Sequence, residues 1–204
     1  MRQSLPGERP IVVRVDRWRA GLPADAWPDD FPVSGEVWRQ DVFAVAEAYR
    51  AGSASARQLL AAVLMWGYGP IGYGPWRAAR SLGGDPTGER LTSALEDISV
   101  PGEVALRTAY RRFRDPAQAR LPWLGPAFFT KVLYFAGYRR GVGGVQPLIL
   151  DRVVADRLPA EAGVTRRNGW SSDEWLAYLR WAAGQAQRRG VEPDAVELAL
   201  FQGP

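Results

Sequence analysis

The sequence of 204 residues contains no cysteine and no histidine. Without cysteine the chain has no disulfide, no thiolate-bound metal and no thiol nucleophile. Without histidine, imidazole-bound metals and histidine-based catalytic triads are excluded as well. Any acid–base chemistry must therefore come from aspartate, glutamate, lysine or tyrosine side chains. The composition thus excludes several common classes of enzyme site before any motif is considered.

Lysine is almost absent: lysine and arginine together number 26, and Lys131 is the only lysine. Arginine can replace lysine on a solvated surface, but its guanidinium group stays protonated in proteins and cannot act as a nucleophile. Lys131 also lies inside an apolar run, residues 127–136. Apolar surroundings favour the neutral amine, which is the nucleophilic form. We therefore consider Lys131 a candidate nucleophile. The alternative is that a lysine remains at this position by chance in a sequence that otherwise uses arginine.

Long apolar runs are missing too. No segment is long enough to cross a bilayer, and the first residues lack the pattern of a signal peptide. We expect a cytoplasmic protein that acts as a monomer and has no membrane partner. The net charge of +4 and the isoelectric point near 9.7 favour an anionic partner such as nucleic acid. The alternative is a basic surface that serves no partner.

The hydrophobic pattern predicts an all-α protein. Residues 1–35 are rich in proline, glycine and aspartate and contain one short strand-like piece, Ile11–Val15, so we predict an irregular N-terminal arm. From residue 36 to residue 201, apolar residues recur at helical spacing between capping residues and glycines. This part predicts a single compact domain of eight to ten helices. We expect two lobes, the second at about residues 87–158.

An unusual loop is predicted at residues 66–76, where four aromatic residues alternate with four glycines and two prolines. Glycine permits close backbone approach and rigid aromatic rings provide stacking faces, so this composition suits an extruded base or sugar. As candidates for a base pocket we take Trp66 and Tyr68 from this loop, Phe128 beside the lysine, and Trp181 from a later helix. The alternative is that these rings pin their segments to the core.

Two features flank the lysine. The string Trp123-Leu124-Gly125-Pro126 predicts a tight hairpin, and Pro126 fits the first position of the helix that carries the lysine. Backbone amides at such a helix start can hold a phosphate. Twenty positions after the lysine, Asp151 follows the apolar segment 147–150 and is well placed to cap the next helix. Taken alone, the hairpin string can join any pair of helices, and Asp151 can be a cap only.

The order of these features is more specific than any one of them. A hairpin, then Thr130-Lys131-Val132, then Pro147-Leu148-Ile149-Leu150-Asp151 resembles the 8-oxoguanine DNA glycosylases of the helix-hairpin-helix superfamily. The similarity is greatest to the small bacterial and archaeal members of OGG type. It is clear over residues 121–158 and extends as an all-α pattern over roughly 36–201. The hairpin departs from the family's Gly-x-Gly turn, because Pro126 stands near the place of the second glycine.

The resemblance implies a base-excision repair enzyme with a helix-hairpin-helix glycosylase fold, acting on double-stranded DNA that contains a damaged base such as 8-oxoguanine. Lys131 would form a Schiff base with the sugar, Asp151 would be the essential carboxylate, and residues 123–126 would bind the DNA backbone. An AP lyase step, β-elimination, would follow, and the chemistry needs no metal or organic cofactor. Two alternatives stay open: a non-catalytic DNA-binding or lesion-reading module, and a glycosylase-like enzyme for another modified base in phage defence.

Overall fold

The N-terminal segment packs across the helical part of the chain. In the structure, a computed structural model that describes residues 5–29, 31 and 34–203, β1 (Ile11–Val12) pairs antiparallel with β2 (Glu36–Val37). Between them lies the helix α1 (Val15–Gly21), whose Trp18 is 1% exposed. The predicted irregular arm therefore contains a helix. It forms because no proline interrupts residues 11–22 and because burial of the Trp18 indole stabilises it.

Helices form almost all of the remaining secondary structure, so the fold is all-α, as the hydrophobic pattern predicted. Among the described residues nine further α-helices follow: α2 (Arg39–Arg50), α3 (Ala56–Tyr68), α4 (Gly74–Gly83), α5 (Glu89–Glu96), α6 (Glu103–Arg112), α7 (Pro126–Gly137), α8 (Arg152–Arg157), α9 (Ser172–Arg189) and α10 (Pro193–Gln202). None of the helices in the described part of the chain combines the length and the apolar character needed to span a bilayer.

Two boundaries differ from the prediction. Residues Glu36–Val37, expected to open a helix, form β2; α2 begins after Trp38, whose amide donates to Asp41 Oδ2 at 2.8 Å. The loop predicted from residue 66 begins later than expected, because α3 continues to Tyr68; α4 begins at Gly74, within one residue of the predicted helix start at Tyr73. Burial of most α3 side chains stabilises the extra turn in spite of its glycine.

Capping side chains set the start of the longest helix. The predicted capping box of α9 is confirmed: Ser171 Oγ accepts the Glu174 amide at 3.2 Å, and Glu174 Oε2 accepts the Ser171 amide at 2.9 Å. Burial would raise the pKa of the Glu174 carboxyl, but the bonds from Ser171 and Thr165 lower this pKa to about 2. The start of α9 is therefore fixed by a carboxylate that stays ionised at neutral pH.

The helix α7 lies at the centre of the packing. It contacts α2, α3 and α6, and its residues from Phe129 to Ala136 are all buried. One hydrophobic core extends from Val13 to Val196. The helices at residues 87–158, predicted as a second lobe, thus share their core with α2 and α3 through α7. A lysine in the middle of α7 is surrounded by packed side chains on most sides.

Candidate active site

Lys131 and Asp151 form an ion pair between the middle of α7 and the start of α8. The Lys131 Nζ lies 2.8 Å from Asp151 Oδ2, and it also donates to the Ala127 carbonyl oxygen at 3.1 Å. The lysine and aspartate side chains are 9% and 15% exposed. The one lysine of the chain is thus sheltered from solvent and held against the carboxylate that follows it by twenty positions.

Thr130 and Leu150, the residues that precede Lys131 and Asp151, set the register between the two segments. The Thr130 hydroxyl accepts the Leu150 amide at 3.2 Å and donates to the Pro126 carbonyl oxygen at 2.8 Å. Lys131 follows Thr130 and Asp151 follows Leu150. The hydrogen bond between Thr130 and Leu150 therefore brings Lys131 and Asp151 together. Thr130 was part of the sequence motif, but only the structure shows that its hydroxyl joins the two segments.

Asp151 serves two groups with its two carboxylate oxygens. Oδ1 accepts the amides of Val153 and Val154, each at 3.1 Å, so the predicted cap of α8 is confirmed, while Oδ2 contacts Lys131. Burial alone would raise the pKa of the Asp151 carboxyl, but Lys131 and the two amides lower it below its ordinary value. Asp151 is therefore a fixed anion at neutral pH, able to stabilise positive charge that develops on a bound reactant.

A cleft of about 590 Å³ opens onto this ion pair. Its walls come from the N-terminal segment 7–11, from the end of α3 and from α10. Gly67 of α3 gives the lysine room: a Cβ at this position would lie 3.1 Å from the Phe128 ring and 3.3 Å from Lys131 Cδ. A larger residue would therefore press on the lysine stem and narrow the cleft.

The comparison with known families identifies the chain. The model of a family described as "Putative 8-oxoguanine DNA glycosylase OGG-like protein" matches residues 5–201. The chain belongs to this OGG-like family. Neither a curated protein nor a solved structure gives a match. The matched range covers the segment 7–11, both members of the ion pair and the part of α10 up to residue 201.

The OGG-like protein has a second buried ion pair in the same cleft, which the sequence did not reveal. Arg39 Nη1 lies 2.7 Å from Glu197 Oε2, and the two side chains are 4% and 1% exposed. One signal was available: Glu197 is the only charged residue in the otherwise apolar run 195–201, as Lys131 is in the run 127–136. Its partner lies 158 positions away and cannot be assigned from the sequence.

The described residues contain no group of three or more His, Cys, Asp or Glu side chains arranged to hold a metal ion.

The four aromatic residues proposed for a base pocket lie in different places. Trp66 lines the cleft, whereas Phe128 does not; the centre of its ring lies 5.8 Å from Lys131 Nζ. Tyr68 is buried and packs on Phe128, with 4.2 Å between ring centres, so it supports the cleft without lining it. Trp181 lines a separate cleft at the ends of α8 and α10. The structure therefore does not bring Trp181 to the cleft of Lys131, as a place in the base pocket would require.

The hairpin before α7 presents three of its four predicted residues. Trp123 is 48% exposed, and its φ of 61° is a left-handed conformation that residues other than glycine seldom adopt. Gly125 caps α7 and Pro126 is its first residue, as predicted. Leu124 differs from the other three residues, because its side chain is 3% exposed and belongs to the core, where it anchors the hairpin.

Exposed aromatic rings and arginines gather beside Trp123. Trp76 is 49% exposed and lies 5.5 Å from Trp123 between ring centres, and Tyr73 is 50% exposed. The guanidinium of Arg77 lies 4.1 Å from the Tyr73 ring centre and 4.7 Å from that of Trp123, while Arg80 lies 4.2 Å from that of Trp76. We call these five residues the aromatic–arginine surface.

Proposed function

We propose that the protein is a DNA glycosylase and AP lyase that excises an oxidised purine of the 8-oxoguanine type through a Schiff base on Lys131. The observation that carries this proposal is the sheltered pair of the chain's one lysine with Asp151 at a cleft. The cleft volume of about 590 Å³ lies within the range of about 300–1,000 Å³ found for small-molecule sites. An extruded nucleotide needs such a pocket, and membership of the OGG-like family supports double-stranded DNA as the substrate.

The chemistry proceeds from the amine. Neutral Lys131 Nζ attacks C1′ of the extruded nucleotide while the bond between C1′ and the base breaks and the base leaves with the electron pair. The Asp151 carboxylate stabilises the positive charge that develops on the sugar. One proton of the attached nitrogen then passes to the ring oxygen as the bond between C1′ and that oxygen breaks, which opens the sugar ring and gives the Schiff base. Loss of a proton from C2′ and departure of the 3′ phosphate complete the β-elimination.

The aromatic–arginine surface supports DNA contact next to the cleft. Its arginines supply positive charge for phosphates, and its exposed rings supply stacking faces for unpaired bases. A chain of ring contacts joins this surface to the amine. Tyr73 lies 6.2 Å from Tyr68 between ring centres, Tyr68 packs on Phe128, and Phe128 lies beside Lys131. DNA held on this surface would therefore have a nucleotide within reach of the cleft.

The hairpin offers a second contact for the DNA backbone. A cavity of about 330 Å³ lies beside Gly125 and the start of α7, and Arg114 and Arg120 line it. A helix start provides unpaired amides and the positive end of the helix dipole. Together with two arginines, this arrangement suits a phosphate group. The proposal thus places backbone contacts and base chemistry on the same helix, α7.

Borohydride trapping tests the proposal. The protein is incubated with duplexes that carry 8-oxoguanine, an abasic site or no lesion, and borohydride reduces any Schiff base to a stable amine. We expect the wild type to form a covalent complex with the first two duplexes and Lys131→Gln to form none. Arg152→Gln is the matched control, because it removes a 75% exposed cation next to Asp151 and should leave trapping intact.

The outcomes separate the alternatives. Trapping by Lys131→Gln at the wild-type level would refute the role of the lysine. Salt-sensitive binding of the lesion duplex by the wild type without any trapping would favour a non-catalytic lesion-reading module. Trapping with a different modified base would keep the mechanism and change the substrate.

A further inference from the structure

Glu197 is a buried acid for which the proposed mechanism has no role yet. It is 1% exposed and lines the same cleft as Lys131 and Asp151. Its Oε2 is bound by Arg39 Nη1 at 2.7 Å. Its Oε1 is buried and has no hydrogen-bond partner within the described residues. A buried oxygen without a partner destabilises a fold, so its presence on a residue that lines the cleft of Lys131 calls for a functional reason.

Charged and titratable groups face Glu197 from every element packed around it. Burial raises the pKa of the Glu197 carboxyl; Arg39 and Lys131 lower it and Asp151 raises it, and the result lies above the ordinary value. The hydroxyl of Tyr178 is likewise buried without a partner in the described part of the chain. The surrounding groups are Glu8 and Arg9 of the N-terminal segment, Arg39 of α2, Lys131 and Tyr134 of α7, Asp151 before α8, Tyr178 of α9, and Asp194 on α10 itself.

We propose that Glu197 is the proton acceptor for Lys131. The described residues show no direct ion pair between the two side chains, so one water molecule in their shared cleft takes a proton from the Lys131 ammonium group and passes one to the unpaired Oε1, which frees the amine for attack. This inference rests on the proposed Schiff-base function and acts through the lysine. Asp151 is the weaker acceptor, because both of its oxygens already accept hydrogen bonds and its pKa is lowered. Glu197 has one oxygen free and a raised pKa.

The step is balanced, and the water molecule that carries the proton is unchanged at its end. One N–H bond of the ammonium group breaks, the water accepts that proton and gives up one of its own, and one O–H bond forms on Oε1, so the ammonium becomes an amine and the carboxylate becomes a carboxylic acid. Arg39 stays on Oε2 in both states and keeps the carboxyl group in place. When water later releases the Schiff base, the amine takes the proton back. Glu197 then returns to its ionised state for the next cycle.

The test measures the rate of trapping on abasic-site DNA across the acid and neutral pH range in single-turnover reactions. Glu197→Gln keeps the shape of the side chain and the hydrogen bond from Arg39 but cannot accept a proton. We expect it to trap about 100-fold more slowly than the wild type. We also expect the wild-type rate to fall on the acid side with a midpoint above that of an ordinary glutamate, and this acid limb to be missing in Glu197→Gln.

Asp85→Asn is the matched control. Asp85 is 2% exposed and accepts the amides of Arg90 and Leu91 in the first turn of α5, and it does not line the cleft. This variant removes a buried carboxylate while leaving Glu197 in place. Its acid limb should therefore coincide with that of the wild type, whatever stability it loses.

Each result decides the inference. If Glu197→Gln traps at the wild-type rate with the same acid limb, the inference is wrong; the loss of trapping in Lys131→Gln would still support the proposed function. If the wild type does not trap, both the inference and the proposed Schiff-base function are wrong. If Glu197→Gln does not fold, as judged by circular dichroism, Glu197→Asp and the wild-type profile decide. A slower Glu197→Asp reaction that retains an acid limb supports the inference, and a wild-type profile without an acid limb overturns it.

Discussion

Removing either partner of the Lys131–Asp151 pair should cost stability, and removing both should restore most of it. Lys131→Gln leaves the Asp151 carboxylate, 15% exposed, with two amides but no cation. Asp151→Asn leaves the lysine ammonium without its anion, although asparagine still caps α8. Breaking a buried pair costs about 3–5 kcal/mol. Because both side chains keep some exposure, we expect about 2–3 kcal/mol for each single variant.

The double variant separates this account from simple loss of packing. A neutral pair of similar volume is often as stable as the ion pair that it replaces, so Lys131→Gln/Asp151→Asn should lie within about 1 kcal/mol of the wild type. The coupling free energy between the two positions should then be about 3 kcal/mol or more. Urea unfolding followed by the fluorescence of the nine tryptophans measures all four proteins. Additive effects, with a coupling below about 0.5 kcal/mol, would refute the reasoning.

The stability difference between the wild type and Asp151→Asn should also depend on pH. The pKa of Asp151 in the folded protein lies below its ordinary value of 3.8, so ionised Asp151 adds stability that is fully present above pH 3.8. This contribution is lost as the pH falls through the lower, folded-state pKa. The difference in the free energy of unfolding between the wild type and Asp151→Asn should therefore be largest at neutral pH and should disappear in acid. A gap that does not change with pH would contradict a lowered pKa for Asp151.

Two further predictions concern the cleft wall and the aromatic–arginine surface. Gly67→Ala should slow trapping, because the new methyl group crowds the lysine stem, while alanine stabilises the helix by up to about 1 kcal/mol. Gly184→Ala in α9 is the control, because the nearest atom to its Cβ is a flexible guanidinium nitrogen at 3.6 Å; equal trapping rates for the two variants would contradict the crowding. Trp76→Ala should weaken lesion-duplex binding by about 1–3 kcal/mol in fluorescence anisotropy. Val104→Ala, at an 81% exposed position outside the aromatic–arginine surface, should not, and an equal loss in both would argue against that surface.

The central pair followed from the sequence because each partner carried a local signal. Lys131 is a lone lysine inside an apolar run, and Asp151 follows an extended segment at a helix start. Local rules of burial and capping therefore placed both on defined elements, and the family pattern supplied their pairing. The capping box at Ser171 and Glu174 followed in the same way, from residues three positions apart.

Other features depend on long-range packing and had no local signal. Arg39 and Glu197 meet only because α2 and α10 both border the cleft. The burial of Leu124 and the direction of Trp181 depend on how each segment is rotated about its axis, which a list of aromatic and hairpin residues does not fix. The helix α1 was missed because the prolines around it outweighed a short segment that is stabilised by burial of Trp18.

The covalent attachment site is the most direct test of the central claim. Trypsin cleaves unmodified protein after Arg120, Lys131 and Arg139, which gives the peptides 121–131 and 132–139. A reduced Schiff base on Lys131 would block the middle cleavage. After borohydride trapping on an abasic-site duplex and nuclease digestion, mass spectrometry should show a single peptide 121–139 that carries the sugar remnant. Recovery of both shorter peptides from the purified covalent complex, with the remnant on another part of the chain, would contradict the assignment of Lys131 as the nucleophile.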